Sequence, residues 1–323
     1  MNPRFSVILL TTLIGAGQGL FVALVAVEIG ALLGWLPEPR RPWFYFYGSL
    51  LALLFTGAGL VASFFHLGRP ERAWRSATQW RTSWLSREVI VLPAFMAVVL
   101  VYAIAHFLHW DETIDALPPG AATLVLGLGG VALAFALYLC TGMIYACLSF
   151  LREWASPLTV INYTVLGLAS GFVLAAAHAT VAAPPIVRFL ASTALLFTVI
   201  GLATRVASLM RNARLVPRST LQTAIGVKHP RIVQTSQGFS GGSFNTREFF
   251  HDRTTAWLRS VKWMFLVGAF VVPSLLLIAT LMGAPGITIV AAFVVQYAGL
   301  LAERWFFFAQ ANHPQNLYYQ VVS

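Results

Sequence analysis

Windows of about twenty consecutive apolar residues recur eight times along the chain, near 5–34, 43–66, 87–109, 121–149, 158–181, 186–208, 261–283 and 286–308. A hydrocarbon core roughly 30 Å thick is crossed by about 20 helical residues, so each window is long enough to span a membrane. Backbone amides in lipid must bond within their own segment or a closed barrel, and none of the windows alternates as a barrel strand does. The pattern predicts an all-α polytopic membrane protein, a bundle of eight transmembrane helices in one integral membrane domain. Gly15 with Gly19 and Gly167 with Gly171 fall four residues apart and mark the first and fifth spans for close helix contact. The first window is too long for the core of a signal peptide and lacks a small-residue cleavage site, which predicts a retained span.

The charges refine this picture. Of 323 residues 58% are hydrophobic and 10% charged, against about 45–50% and 25% in soluble domains. Eighteen of the 21 lysines and arginines fall at the N-terminus, the second, fourth and sixth loops, the C-terminal end and the span ends beside them; Arg40, Arg41 and Arg188 fall on the other side. The positive-inside rule puts both termini and those loops in the cytoplasm, and the acidic stretch at 110–120 opposite. The sixth loop, near 209–260, is the extended polar region, and it mixes aromatics such as Phe239, Phe249, Phe250 and Trp257 with basic residues. That composition suits docking to a cytoplasmic partner; the alternative is a segment lying on anionic headgroups.

Two cysteines, Cys140 and Cys147, sit in an apolar stretch as small hydrophobic side chains and are too few to hold an iron–sulfur cluster. The glycines of "GAGQGL" follow no strand and lie within lipid, which excludes a dinucleotide loop. No metal site of the chain's own is expected.

The densest chemistry lies between the second and third windows, in "HLGRPERAWRSATQWRTSWLSRE" at 66–88. Bland readings exist for its parts. The arginines can meet lipid phosphates, Trp74, Trp80 and Trp84 can anchor at the interface, Ser86 can cap the third helix, and Glu88 can face that helix's N-terminal dipole. His66 differs, because it ends the apolar run "VASFFH" directly against the charges. Ionisable groups at the edge of the bilayer are functional candidates. A histidine that donates to a carbonyl and hands over a proton, with a carboxylate relaying protons from water, suits the chemistry of a quinone head group.

The segment "FFHLGRPERAWRSATQWRTSWLSREV" resembles the second-to-third-helix region of the membrane anchor subunits of the dimethyl sulfoxide reductase family, in the order histidine, LG, P, RA, LS, glutamate. Eight spans, Gly17-Gln18 in the first helix and Glu303-Arg304 in "LLAERWFFF" agree with it. The resemblance implies a complex with a molybdenum catalytic subunit, which carries the molybdenum cofactor, and an iron–sulfur electron-transfer subunit, in which this chain exchanges electrons with the quinone pool, ubiquinone or menaquinone, in a bacterial cytoplasmic (inner) membrane. It implies that His66 and Glu88 belong to the quinone site; Arg69 and Ser86 join them by proximity in sequence. Arg72, Arg75, Arg81, Arg247, Phe249 and Phe250 are the expected partner-docking residues. Basic residues on the docking face put it in the cytoplasm, and with the long sixth loop this resembles the anchors of cytoplasmic-facing sulfite dehydrogenases, which pass electrons from sulfite to quinone. The alternative is a quinol-oxidising anchor of a respiratory reductase.

Two rival readings have sequence signals. His106 and His178 fall near the outer ends of the third and fifth spans, where two histidines can hold a b-type haem. A secondary transporter would show paired broken helices and a polar centre, for which Gln18, Glu28, Asn162 and Tyr163 are the candidates.

Overall fold

A computed structural model describes residues 1–39, 43–110, 120–217, 219–236 and 244–319. Arg40, Arg41, nearly all of the acidic stretch, Arg218 and Phe239 lie outside the described residues. The elements are helices and turns, with no strand among the described residues. Six spans come first: α1 (Phe5–Leu32), α2 (Trp43–Phe64), α3 (Trp84–Phe107), α4 (Ala121–Ala146), α5 (Pro157–Ala182) and α6 (Val187–Ala213). Two short helices, α7 (Leu221–Ile225) and α8 (Phe244–Glu248), precede the last spans, α9 (Thr255–Leu281) and α10 (Ile287–Ala309). All eight long helices are apolar enough to cross a bilayer.

Local chemistry sets the helix ends. α3 begins at Trp84, because the Ser83 hydroxyl accepts the Ser86 amide at 3.3 Å. Ser83 is therefore the cap, and the expectation that Ser86 caps this helix is corrected. α6 continues to Ala213, well past the apolar window, because Arg211 donates to the carbonyls of Arg152 (3.0 and 3.1 Å) and Ala155 (3.1 Å), tying the extra turn to the α4–α5 connection. α9 begins at Thr255 behind a Thr254 cap on the Trp257 amide (3.2 Å), and a π-turn at Val267–Val271 interrupts it.

α1 and α5 form the centre, each with 67% of its most apolar stretch buried. They cross on the two glycine pairs picked out by spacing. A Cβ on Gly19 would lie 2.2 Å from the Gly167 carbonyl oxygen, and one on Gly171 would lie 2.2 Å from the Gly19 carbonyl carbon. Backbones that close are possible only without side chains. Polar bonds fasten α4 to the same pair: Tyr138 Oη donates to Gly15 O at 2.8 Å, and Gln18 Nε2 to Ala134 O at 3.1 Å. The apolar core runs through this centre with Leu20, Phe21, Leu24, Phe95 and Leu137, all buried.

The polar segments at the other helix ends pack onto each other. Glu248 ion-pairs with Arg4, and its carbonyl accepts the Asn2 amide at 3.0 Å. In the tail after α10, Asn316 Nδ2 donates to Phe249 O at 3.1 Å and Tyr318 Oη to Ala224 O at 2.9 Å.

Candidate functional site

α2 ends at Phe64, and beyond it Pro70 holds Arg69 out of helical geometry (φ −143°, ψ 81°). Its last amides turn back three residues, His66 N to Ser63 O at 3.3 Å, so the imidazole sits just beyond the helix end. His66 is half-buried, and its Nδ1 is fully buried with no hydrogen-bond partner in the protein. Burial, with the charge of Arg4 second, holds the imidazole below the ordinary histidine value of 6.5, which favours its neutral form. Around it the surface is apolar: Phe65 is 82% exposed, and Phe64 and Leu67 are also open.

The connection to α3 is a 3₁₀ helix, Pro70–Gln79, followed by a turn, with no residue buried in it. Arg69, Arg72, Arg75 and Arg81 are exposed, as is Arg247 in α8. Arg75 and Arg81 lie 5.5 and 5.3 Å from the ring centres of Trp74 and Trp80. Arg87 lies over Trp84 at 4.3 Å and donates to the carbonyls of Trp80 (2.9 Å) and Arg81 (2.8 Å), which holds the turn against α3. Of the aromatic docking candidates, Phe250 is corrected: it is 7% exposed and faces the Tyr319 ring, so it belongs to the packing of this chain. Phe249 is engaged too, stacked on His313 at 3.8 Å.

Glu88, four residues into α3, points into the bundle. It accepts a hydrogen bond from the Thr141 hydroxyl of α4 and lines a small enclosed cavity with Thr11, Gln18, Tyr138 and Tyr163. Ser86 is buried beside it on the same helix. No hydrogen bond or ion pair joins His66 to Glu88 among the described residues. The two residues that the resemblance grouped thus lie in different surroundings, the imidazole just beyond the end of α2 and the carboxyl inside the bundle.

A larger polar cluster lies next to Glu88. Glu303 of α10 ion-pairs with Arg205 of α6 at 2.7 Å and with its neighbour Arg304 at 3.6 Å. The Arg304 guanidinium lies 3.8 Å from the centre of the Tyr163 ring on α5, and Asn162 Nδ2 donates to Ser208 Oγ at 2.8 Å. Sequence reasoning counted Arg205 with the basic loop and missed this grouping. The available signal was an arginine inside the apolar run "IGLATRVASLM", since charges at membrane depth face a partner or a cavity.

The two histidines of the haem reading are each engaged within the protein. His178 Nε2 bonds the Phe44 carbonyl at 3.0 Å and its ring stacks on Phe44 at 5.1 Å. His106 stacks on Tyr45 at 4.4 Å, with Nε2 3.6 Å from Glu28 Oε1. Glu28 also accepts from Tyr102 Oη at 2.7 Å and Thr123 Oγ1 at 2.6 Å. The Nε2 atoms are thus turned to protein groups, that of His178 to the Phe44 carbonyl and that of His106 toward Glu28. The broken-helix signature of a transporter is also missing in paired form: among the described residues the π-turn of α9 stands alone.

Comparison with known proteins agrees with this architecture. The chain is similar to a sulfite dehydrogenase subunit of Allochromatium vinosum, 54% identical over 329 aligned positions that take in 100% of both chains. Residues 1–309 match the family described as DMSO reductase anchor subunit (DmsC), a match that runs from the N-terminus to the last residue of α10. With every span inside that match, this chain belongs to the DMSO reductase anchor-subunit family.

Proposed function

We propose that this anchor subunit binds a quinone at the rim between α2 and α3 and passes to it electrons released by oxidation of sulfite in a cytoplasmic molybdenum subunit. The observation that carries the quinone site is the buried, unpartnered Nδ1 of His66 beside an exposed apolar surface. A polar atom so placed calls for a ligand atom, and a hydrophobic tail suits the surface around it. The sulfite assignment rests on the full-length similarity to the Allochromatium vinosum sulfite dehydrogenase chain.

A bound quinone supplies a carrier that takes up two electrons and two protons. The chain's own residues do the rest. The neutral His66 imidazole donates one N–H hydrogen bond to a carbonyl oxygen, and the imidazolium formed when the ring takes a proton from water at the rim hands that proton on. Arg69, exposed and three residues on, places positive charge where negative charge develops. Glu88 relays protons from inside the bundle. The exposed Arg72, Arg75, Arg81 and Arg247 face the iron–sulfur subunit, and the docking face lies on the cytoplasmic side of a bacterial inner membrane.

The test uses membranes containing the whole complex. His66→Ala lowers sulfite-dependent reduction of a quinone analogue by a factor of about 10² or more, as expected for loss of a proton donor, while reduction of a soluble dye by sulfite survives. Unchanged quinone reduction in His66→Ala removes His66 from the site. Absence of sulfite activity with either acceptor favours the quinol-oxidising anchor of a reductase.

A further inference from the structure

We propose that Tyr163 passes protons between two small cavities and so connects water at the α4–α5 connection to Glu88. This rests on the reading that Glu88 serves the quinone reaction, and adds the route by which its protons arrive. Reducing a quinone to a quinol consumes two electrons, supplied by sulfite and water going to sulfate, and two protons. A carboxyl inside the bundle needs a path to water for each proton that it hands on.

The two cavities supply one. The outer is lined by Glu153, Asn162, Arg205, Ser208 and Glu303 among others, and the inner by Thr11, Gln18, Glu88, Tyr138 and Thr141; Tyr163 lines both. Each has room for about one water molecule. Their walls carry buried polar atoms that make no hydrogen bond of ordinary geometry within the protein: Asn162 Oδ1, Gln310 Nε2 and Tyr163 Oη itself. Such atoms in a cavity that admits water are the partners an internal water requires. The outer cavity reaches the membrane surface at Glu153, Arg211 and Asn212, which are partly exposed.

Tyr163 is held for this task. Its ring lies under the Arg304 guanidinium at 3.8 Å and stacks on Tyr145 at 5.6 Å, while its hydroxyl makes no hydrogen bond of ordinary geometry within the protein. A phenol in that position accepts a proton from water on one side as it donates its own on the other. The Arg205–Glu303–Arg304 group carries a net positive charge beside the path, which favours hydroxide-like over hydronium-like transfer. Thr141 donates to Glu88 at the inner end, and the polar groups facing that carboxyl are Thr11 and Gln18 of α1, Tyr138 and Thr141 of α4 and Tyr163 of α5.

The experiment reads Glu88 itself, without turnover. In the whole complex the infrared carboxyl band of Glu88 is assigned by its loss in Glu88→Gln, and its response is timed after a pH jump. Tyr163→Phe, which keeps the ring beneath Arg304, slows the response at least tenfold and leaves its final amplitude unchanged. Asn162→Leu, which closes the outer cavity, does the same and serves if Tyr163→Phe fails to assemble. A native rate in either assembled variant overturns the route. Slowing in these variants together with full quinone reduction by His66→Ala keeps the route and rejects the quinone rim.

Discussion

Glu303 is one carboxylate shared by two guanidiniums, Arg205 at 2.7 Å and Arg304 at 3.6 Å, all three at most 5% exposed. The three charges do not contribute alike. Removing Arg205 leaves Glu303 with Arg304; removing Glu303 leaves two buried cations facing each other. Glu303→Gln is therefore expected to cost about 3–5 kcal/mol, the usual loss on breaking a buried pair, and Arg205→Met clearly less. Thermal unfolding of the detergent-solubilised complex checks this, and equal losses would show that Arg304 does not share the carboxylate. At this scale the sequence was half legible. His66 was singled out because it ends an apolar run against charges, whereas Arg205, 98 residues before its partner, looked like one more basic residue near a loop.

The α1–α5 crossing shows what an element demands of its residues. Gly19 and Gly171 meet backbone to backbone, so an added methyl group has no side chain to push aside. Overpacking of this kind costs about 1–3 kcal/mol per small addition. Gly171→Ala should lower the melting temperature of the complex, and Gly171→Leu should prevent its assembly; a native melting temperature for Gly171→Ala would place the two helices farther apart. Four-residue spacing was enough to select these glycines, because a helix repeats its face over that interval. The ends of the elements were less legible. α6 and α9 run beyond their apolar windows because caps and long-range bonds, Thr254 to Trp257 and Arg211 to Arg152, extend them, and hydropathy carries no trace of either.

For the molecule as a whole, the exposed basic segment between α2 and α3 is the surface on which assembly is expected to depend. Replacing Arg72, Arg75 and Arg81 together by glutamate should release the soluble subunits from washed membranes at low salt while the eight spans still insert, as read by sedimentation and by a topology reporter. Retention of the partners at native levels would move docking elsewhere. The sixth loop contributes in another way than its composition suggested. Phe249 and Phe250 pack on His313 and beside Tyr319 of the tail, so these aromatics join the loop to the chain's own terminus, and Arg247 is left facing outward.

Eight apolar windows, their small-residue pairs and the uneven distribution of 21 basic residues were sufficient by themselves to determine an eight-helix membrane bundle with one basic end. Lipid forces that result, since a buried backbone must bond within its own helix and length alone decides whether it spans. Which polar side chains share a cavity was decided only by tertiary structure. Glu88 of α3 and Tyr163 of α5 line one cavity, and Tyr163 and Glu303 of α10 line the other, a sharing that no single window shows. Their grouping depends on helix rotation and order in the bundle, which follow from packing at crossings such as Gly19 on Gly171. The same packing separates His66 from Glu88, because a helix start that turns its carboxyl inward leaves the preceding helix end, and its imidazole, at the rim.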